Sequence, residues 1–404
     1  MTEARSLLFG VIADDVTGAL DSGVQFARIG IETSLLLSPC GYQEMPVHVV
    51  STHSRNTDPL RAVQAVRQAV ALLHGRQLFK KLDSTMRGQV GAEIAAVQAA
   101  AGIEKAVVCP ALIEAGRTVR DGRLWVGDKL LQESDFAHDP TWPAATSDLA
   151  SLIGLPVTHL SLEVVRAGAW ALTDAIVAAP TSVVSTDACT VADLETIGEA
   201  AVMAGVLPCG ALGLARSWLR ACLEPGATEP IRPRLPTCRA LLIIAGSLHP
   251  RTRVQVQRLS AERGLVVTDV QAGEDHCCEV IANELAAGRS VALTTPPPAD
   301  GLGSPRAHSV HEPHPAIAQL GRVAHRICGQ YRPDGLFLTG GDTAVAVFEE
   351  IGASAVQIMG EFQVGIPWGW LQGGCCAELP VITKAGGFGN EEALVQIMAA
   401  TGAS

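Results

Sequence analysis

Leu338-Thr339-Gly340-Gly341-Asp342-Thr343-Ala344 decides how the rest of this chain is read. An apolar run, Gly335-Leu336-Phe337-Leu338, precedes it, and Val345-Ala346-Val347-Phe348 follows with a pattern that suits a helix better than a strand. The order is therefore strand, glycine turn, helix. Such a turn presents backbone N–H groups at a helix N-terminus, where the macrodipole favours an anion. Two glycines let the backbone approach a bulky group such as a phosphate. Asp342 or Thr343 is placed to cap the helix, and a plain capped turn would carry the same residues. A second cluster, Lys384-Ala385-Gly386-Gly387-Phe388-Gly389-Asn390, repeats the arrangement after another apolar run and favours the phosphate reading.

Upstream of these turns the best linker is Glu224 to Thr237, with four prolines and few apolar residues. It can be neither a helix nor a central strand. The expected division is a first domain over 1–225, a linker over 226–237 and a second domain over 238–404. The second domain opens on Leu241-Leu242-Ile243-Ile244 and reaches Ala245-Gly246-Ser247-Leu248-His249-Pro250 before a helix near Thr252. Ser247 either donates to a phosphate or adenosine group or caps that helix, and His249 beside Pro250 reads as a turn residue. A strand follows at Val291 to Thr294, then a long loop from Pro296 to His314. Its His308, His311 and His314 lack acidic partners at metal-binding spacing. A helix over Ile317 to Tyr331, a strand from Ala355 to Met359 and a helix over Glu391 to Met398 complete this half.

The first domain is read the same way. Leu7 to Ala13 is a first strand ending in Asp14-Asp15, followed by a small-residue helix start. Ligands of open α/β sheets sit beyond the carboxyl ends of strands, so this pair could bind polyol hydroxyls or act as a base. Equally, one could cap the helix and the other face water. Adjacent residues leaving a strand point in opposite directions, so only one of the two is expected to face a ligand directly. Strands over Thr33 to Leu37, Val47 to Thr52 and Gln77 to Leu82, with a helix over Pro59 to Leu73, deliver further polar turns: His53-Ser54-Arg55-Asn56 and Asp83-Ser84-Thr85-Met86-Arg87-Gly88. Gly91 to Ala101 is a helix and Lys105 to Cys109 a strand. Leu124-Trp125-Val126 and Lys129-Leu130-Leu131 flank Gly127-Asp128, a β-hairpin signal.

Composition narrows the function classes. The hydrophobic fraction is 48%, the charged fraction 18% and the formal net charge −11. An acidic globular chain of this kind is not a general nucleic-acid binder. No signal-peptide pattern and no apolar stretch of membrane-spanning length is present, so a cytoplasmic protein without a membrane partner is expected. Eleven cysteines are scattered with no C-x-x-C and no zinc spacing, and read as free thiols. No metal-ligand set is assigned. The sequence leaves a homo-oligomer open.

Taken together and in order, Ile12-Ala13-Asp14-Asp15-Val16-Thr17-Gly18-Ala19, Lys80 to Gly88, Ala245-Gly246-Ser247, Thr339 to Thr343 and Thr383 to Gly389 resemble the four-carbon acid sugar kinases, over roughly residues 7 to 398. The resemblance implies two α/β domains with open, largely parallel sheets and an active-site cleft between them. It implies ATP in the C-terminal domain and phosphate transfer to the terminal hydroxyl of threonate, erythronate or a 3-oxo-tetronate. Asp14, Asp15, Arg55, Lys81, Asp83, Ser84 and Arg87 match the substrate side. Ser247, Gly340, Gly341, Asp342, Thr343 and Gly386 match nucleotide-binding positions, with Thr339 and Gly387 in the same two turns. Two departures stand out: Leu248-His249 after Ser247, where relatives often carry small polar residues, and the long 296–314 loop.

Physical chemistry fits that implication. Phosphoryl transfer asks mainly for positioning and charge stabilisation. Mg²⁺ suits phosphate and carboxylate oxygens. Arg87 has a fork that matches a substrate carboxylate. A carboxylate of the first domain, Asp15 ahead of Asp83 and Asp14, would take the proton of the attacking hydroxyl. A sugar-acid isomerase or dehydrogenase, or a non-catalytic sensor, are the alternatives. Against a dehydrogenase, no G-x-G-x-x-G follows the first strand.

Overall fold

The computed structural model describes residues 8–39, 43–139, 142–223, 231, 233–296 and 315–404. Half of the expected 226–237 linker and nearly all of the 296–314 loop, including its three histidines, lie outside the described residues.

The chain packs into two units. One comprises 1–26 and 46–229, the other 27–45 and 230–404. The first contains strands β1 (Phe9–Ala13), β3 (Val47–Ser51), β4 (Gln77–Lys81), β5 (Ala106–Cys109), β6 (Arg117–Arg120), β7 (Arg123–Val126), β8 (Lys129–Leu130), β9 (Val157–Leu160), β10 (Val183–Thr186) and β11 (Leu207–Gly210). The intervening strand β2 (Thr33–Leu36) belongs to the second unit.

The main sheet of the first unit runs β3-β1-β4-β11-β5-β10-β9, and every pairing in it is parallel. Most of its strands are short apolar runs buried along their length, as expected when helices cover both faces, while the edge strand β9 is more exposed. Those helices include α1 (Val16–Ala27), α2 (Pro59–Leu72) and α3 (Val90–Ala101). Asp58 caps α2 by accepting from the Leu60 and Arg61 N–H groups, and Pro59 occupies the first turn, where its missing N–H costs nothing. Phe9, Phe26, Phe79 and Trp218 pack ring to ring at 5.3–5.6 Å under this sheet. Each such buried side chain contributes roughly 1.5–3 kcal/mol. The expected hairpin is present: Trp125 pairs with Leu130 and Val126 with Lys129, and β6 adds a third strand. Leu131 has left the strand for a tight helical turn.

The second unit continues with β12 (Leu241–Ala245), β13 (Val266–Asp269), β14 (Val291–Thr294), β15 (Gly335–Thr339), β16 (Ala355–Gln363), β17 (Ile366–Gln372) and β18 (Pro380–Lys384). The order is β13-β14-β12-β15-β18-β17-β16-β2. The β13 to β18 stretch is parallel; β17, β16 and β2 join antiparallel. Leu241, Ile243, Phe337, Ile382, Leu394 and Ile397 form part of one apolar core beneath it. The two α/β units with largely parallel sheets agree with the expected class. The sequence did not mark 27–45 as separate: β2 pairs with β16, Leu36 opposite Ala355.

Candidate active site

Three parallel strands of the first unit end side by side, and each hands over to a polar turn. Ala13 at the end of β1 pairs with Ser51 of β3 and with Lys81 of β4. Asp14-Asp15, the turn through Arg55 and the turn from Asp83 to Arg87 therefore emerge at one sheet edge. His53 and Met86 in these turns hold left-handed backbone, φ 49° and 61°. Non-glycine residues seldom adopt it, and it tends to persist where a site demands it.

Arg55 is the hub. Its Nε donates to Asp14 Oδ2 at 2.6 Å, Nη2 to Asp14 Oδ1 at 3.0 Å and Nη1 to Asp15 Oδ2 at 2.9 Å. Asp83 Oδ1 lies 3.8 Å from Nη2. Asp14 and Asp15 thus converge on one guanidinium instead of pointing apart. The strand ends at Ala13, so its alternation no longer governs them. Asp15 is also the cap of α1, accepting from Gly18 N at 2.9 Å and from the Thr17 hydroxyl at 2.8 Å. Asp14 is buried, not solvated.

The second guanidinium is already engaged. Arg87 forks onto Asp83 through Nε at 3.0 Å and Nη2 at 2.9 Å, and its Nη1 reaches Asp139 at 3.3 Å. The Thr85 hydroxyl also donates to Asp83. Lys81 Nζ donates to the Leu82 carbonyl at 2.7 Å. Ser84 is partly exposed on the same turn, and its hydroxyl makes no hydrogen bond among the described residues.

The three acids titrate differently. Burial pushes Asp14 above the usual carboxylate range despite Arg55. Burial pushes Asp15 the same way, but Arg55 and Lys81 outweigh it and hold it low. Asp83 is held well below its ordinary value, since Arg55 and Arg87 overcome its burial. Their side chains are 4%, 21% and 11% exposed respectively, so Asp15 is the most open to a ligand.

Sequence reasoning missed what lies beneath. Lys80 and Glu93 form a fully buried ion pair at 2.7 Å, and the Ser54 hydroxyl donates to Glu93. The pair anchors the Arg55 turn from below. Its signal was available: Glu93 is the only charged residue in α3. Asp139 carried no comparable signal.

In the second unit the carboxyl ends of β12, β15 and β18 adjoin, with Ala245 opposite Thr339 and Thr339 opposite Lys384. Their turns carry Gly246-Ser247, Gly340-Gly341-Asp342-Thr343 and Gly386-Gly387. Gly340, φ +106°, is the N-cap residue of the helix Gly341–Glu350 and supplies no side-chain cap. Neither Asp342 nor Thr343 caps that helix. Thr343 is buried against Gly246 instead. A Cβ on Gly386 would overlap Ser247 Oγ, so only glycine fits there. The N–H groups of Gly341, Gly386 and Gly387 make no hydrogen bond among the described residues.

The carbonyls of the third turn are drawn the other way. Lys384 Nζ donates to Ala385 O at 3.1 Å and Gly386 O at 3.0 Å, and Arg251 Nη1 to Gly387 O and Gly389 O at 3.2 Å each. The Thr252 hydroxyl donates to Gly386 O at 3.0 Å. Lys384 is buried without a carboxylate partner among the described residues, and burial, with Arg251, lowers its pKa to about 8. His249, not Ser247, caps the helix Pro250–Arg263: its Nδ1 accepts from Arg251 N at 3.2 Å, while Ser247 Oγ accepts from His249 N at 3.3 Å.

These turns suit an anion that accepts backbone N–H groups, as a nucleotide phosphate does. Among the described residues no group of three or more His, Cys, Asp or Glu could hold a metal ion. Asp342 is the one carboxylate on the three glycine turns. Mg²⁺ carried in on phosphates needs no more than one or two protein carboxylates.

Comparison with known proteins finds a family for each of two stretches of the chain. Residues 9–218 match the family described as sugar-binding N-terminal domain, and 242–394 the nucleotide-binding C-terminal domain. The chain is 34% identical over 407 residues to the D-threonate kinase of Bordetella bronchiseptica, covering 96% of each. It belongs to the four-carbon acid sugar kinase family. The D-threonate kinase of Salmonella typhimurium is also 34% identical, over 95% of this chain and 96% of its own. More distant family members are named D-erythronate and 3-oxo-tetronate kinases. A crystal structure from Salmonella typhimurium LT2 shares the fold, with a TM-score of 0.79 at 24% identity over 96% of this chain and 98% of its own. In this family member the aspartate–arginine cluster falls within the sugar-binding match and the glycine turns within the nucleotide-binding match. No helix among the described residues is long and apolar enough to cross a membrane.

Proposed function

We propose that this kinase-family protein transfers the γ-phosphate of ATP to the terminal hydroxyl of a four-carbon sugar acid, with D-threonate the first acid to test. One observation carries the reading: in the glycine turns after the adjacent parallel strands β15 and β18, the N–H groups of Gly341, Gly386 and Gly387 make no hydrogen bond among the described residues, while Lys384, Arg251 and Thr252 hold the carbonyls of the second of these turns. Ser247, Thr339 to Thr343, Gly386 and Gly387 line the proposed nucleotide site. Mg²⁺ bound with the nucleotide would neutralise phosphate charge.

Asp14, Asp15, Arg55, Lys81, Asp83, Ser84 and Arg87 surround the proposed acid site. Asp15 is the proposed base, because access comes before pKa and it is the most exposed of the three acids. The hydroxyl oxygen bonds to the γ-phosphorus, the bond from γ-phosphorus to the β–γ bridging oxygen breaks, ADP departs with that electron pair, and the hydroxyl proton passes to the carboxylate. The test is ATP consumption with D- and L-threonate, the erythronates and their 3-oxo forms, with the phosphorylated carbon assigned by NMR. Acid-dependent ADP release with phosphate on the terminal oxygen is expected. Binding without turnover across the panel would make the protein a sensor and overturn the proposal.

A further inference from the structure

The acids of the first unit's site share two arginines. Arg55 takes Asp14 and Asp15, and Arg87 takes Asp83 and Asp139. Two cations there have no carboxylate partner among the described residues. One is Lys81. The other is Arg117, on β6, whose guanidinium lies over Phe136, close in sequence to the Asp139 that Arg87 holds; the charges of Asp83 and Arg87 both act on it.

Arg117 is held rigidly. Its backbone pairs with Val126 and exchanges N–H···O bonds with Leu112, at 3.0 Å and 2.9 Å. Its guanidinium carbon lies 5.3 Å from the centre of the Phe136 ring, which fixes the plane of the fork. Its Nε is buried and has no hydrogen-bond acceptor among the described residues. A buried N–H left without a partner is costly, and structures seldom keep one without a use. A guanidinium stays charged under such burial and presents a flat fork suited to a carboxylate. Preorganisation of this sort spares a ligand the ordering cost.

We infer that Arg117, supported by Lys81, receives the carboxylate of the substrate and so makes the protein select an acid over an uncharged polyol. This rests on the sugar-acid reading above. Arg87, whose fork is filled by Asp83, then acts by positioning that aspartate.

The test compares, by calorimetry on the full chain, the affinities for threonate and for its neutral amide. Wild type should bind the acid at least tenfold more tightly than the amide. Arg117→Gln should reduce that ratio to near one, chiefly by a ten- to hundredfold loss of acid affinity, with ADP affinity unchanged. Arg117→Lys keeps charge without the fork and should give an intermediate ratio; it also serves if the glutamine variant does not fold. A wild-type ratio in the glutamine or lysine variant would overturn the inference. Failure of wild type to bind any four-carbon acid would instead overturn the functional reading itself.

Discussion

Ser247 and Gly386, far apart in sequence, meet so closely that any side chain at 386 would overlap the serine hydroxyl. The two turns are therefore interlocked, and the spacing of their N–H groups depends on that contact. Gly386→Ala should push them apart and weaken ADP binding at least tenfold, about 1.4 kcal/mol. Calorimetry on the full chain checks this, and threonate binding should stay at the wild-type level.

Arg87→Lys keeps a charge but cannot span Asp83 and Asp139 with a fixed fork. A loss of roughly 1.5–3 kcal/mol in acid-dependent kcat/KM is expected for a charged hydrogen bond. ADP affinity should not change; equal weakening of both ligands would place Arg87 on the phosphates.

Among Asp14→Asn, Asp15→Asn and Asp83→Asn, the base is the position where kcat collapses about 10²–10⁴-fold while both ligands still bind. Asp15 is expected to be that position. Should Asp15→Asn change only KM, the base is one of the other two, and the same series identifies it.

Glu93→Ala should destabilise the protein by roughly 3–5 kcal/mol, because it strands the Lys80 ammonium in the core. Chemical denaturation measures this. The Arg55 turn sits on the same network, so acid binding should weaken as well.

Lys384 gives a pH signature. Its pKa is lowered to about 8 in the fold from 10.5. Between these values the unfolded chain binds more protons than the native one, so this group makes stability rise with pH. The melting temperature of wild type minus that of Lys384→Met should therefore increase from about pH 8 to pH 10.5. A flat difference would mean that Lys384 titrates normally.

Much of this was legible in the sequence because each strand-to-turn junction is local. Asp14-Asp15 after an apolar run, or Gly340-Gly341 before a helix, announces itself within ten residues. The hairpin at Gly127-Asp128 did so too. What escaped depends on tertiary neighbours. Nothing local says that Asp14 and Asp15 share Arg55, that Arg87 is filled by Asp83, or that His249 takes the capping role its neighbour Ser247 was offered. Thr33 to Leu36 reads correctly as a strand, but its partner β16 lies in a distant part of the chain, and pattern alone cannot choose between two sheets.

That strand also shapes how the protein is made. A ribosome delivers β2 early and β16 late, an interval of about 15–60 s at usual synthesis rates. Throughout it β2 waits without its antiparallel partner, and the second unit cannot close until nearly the whole chain has emerged. A polypeptide trimmed to residues 230–404 would keep every glycine turn yet leave the free side of β16 bare, an open edge that invites pairing with another chain.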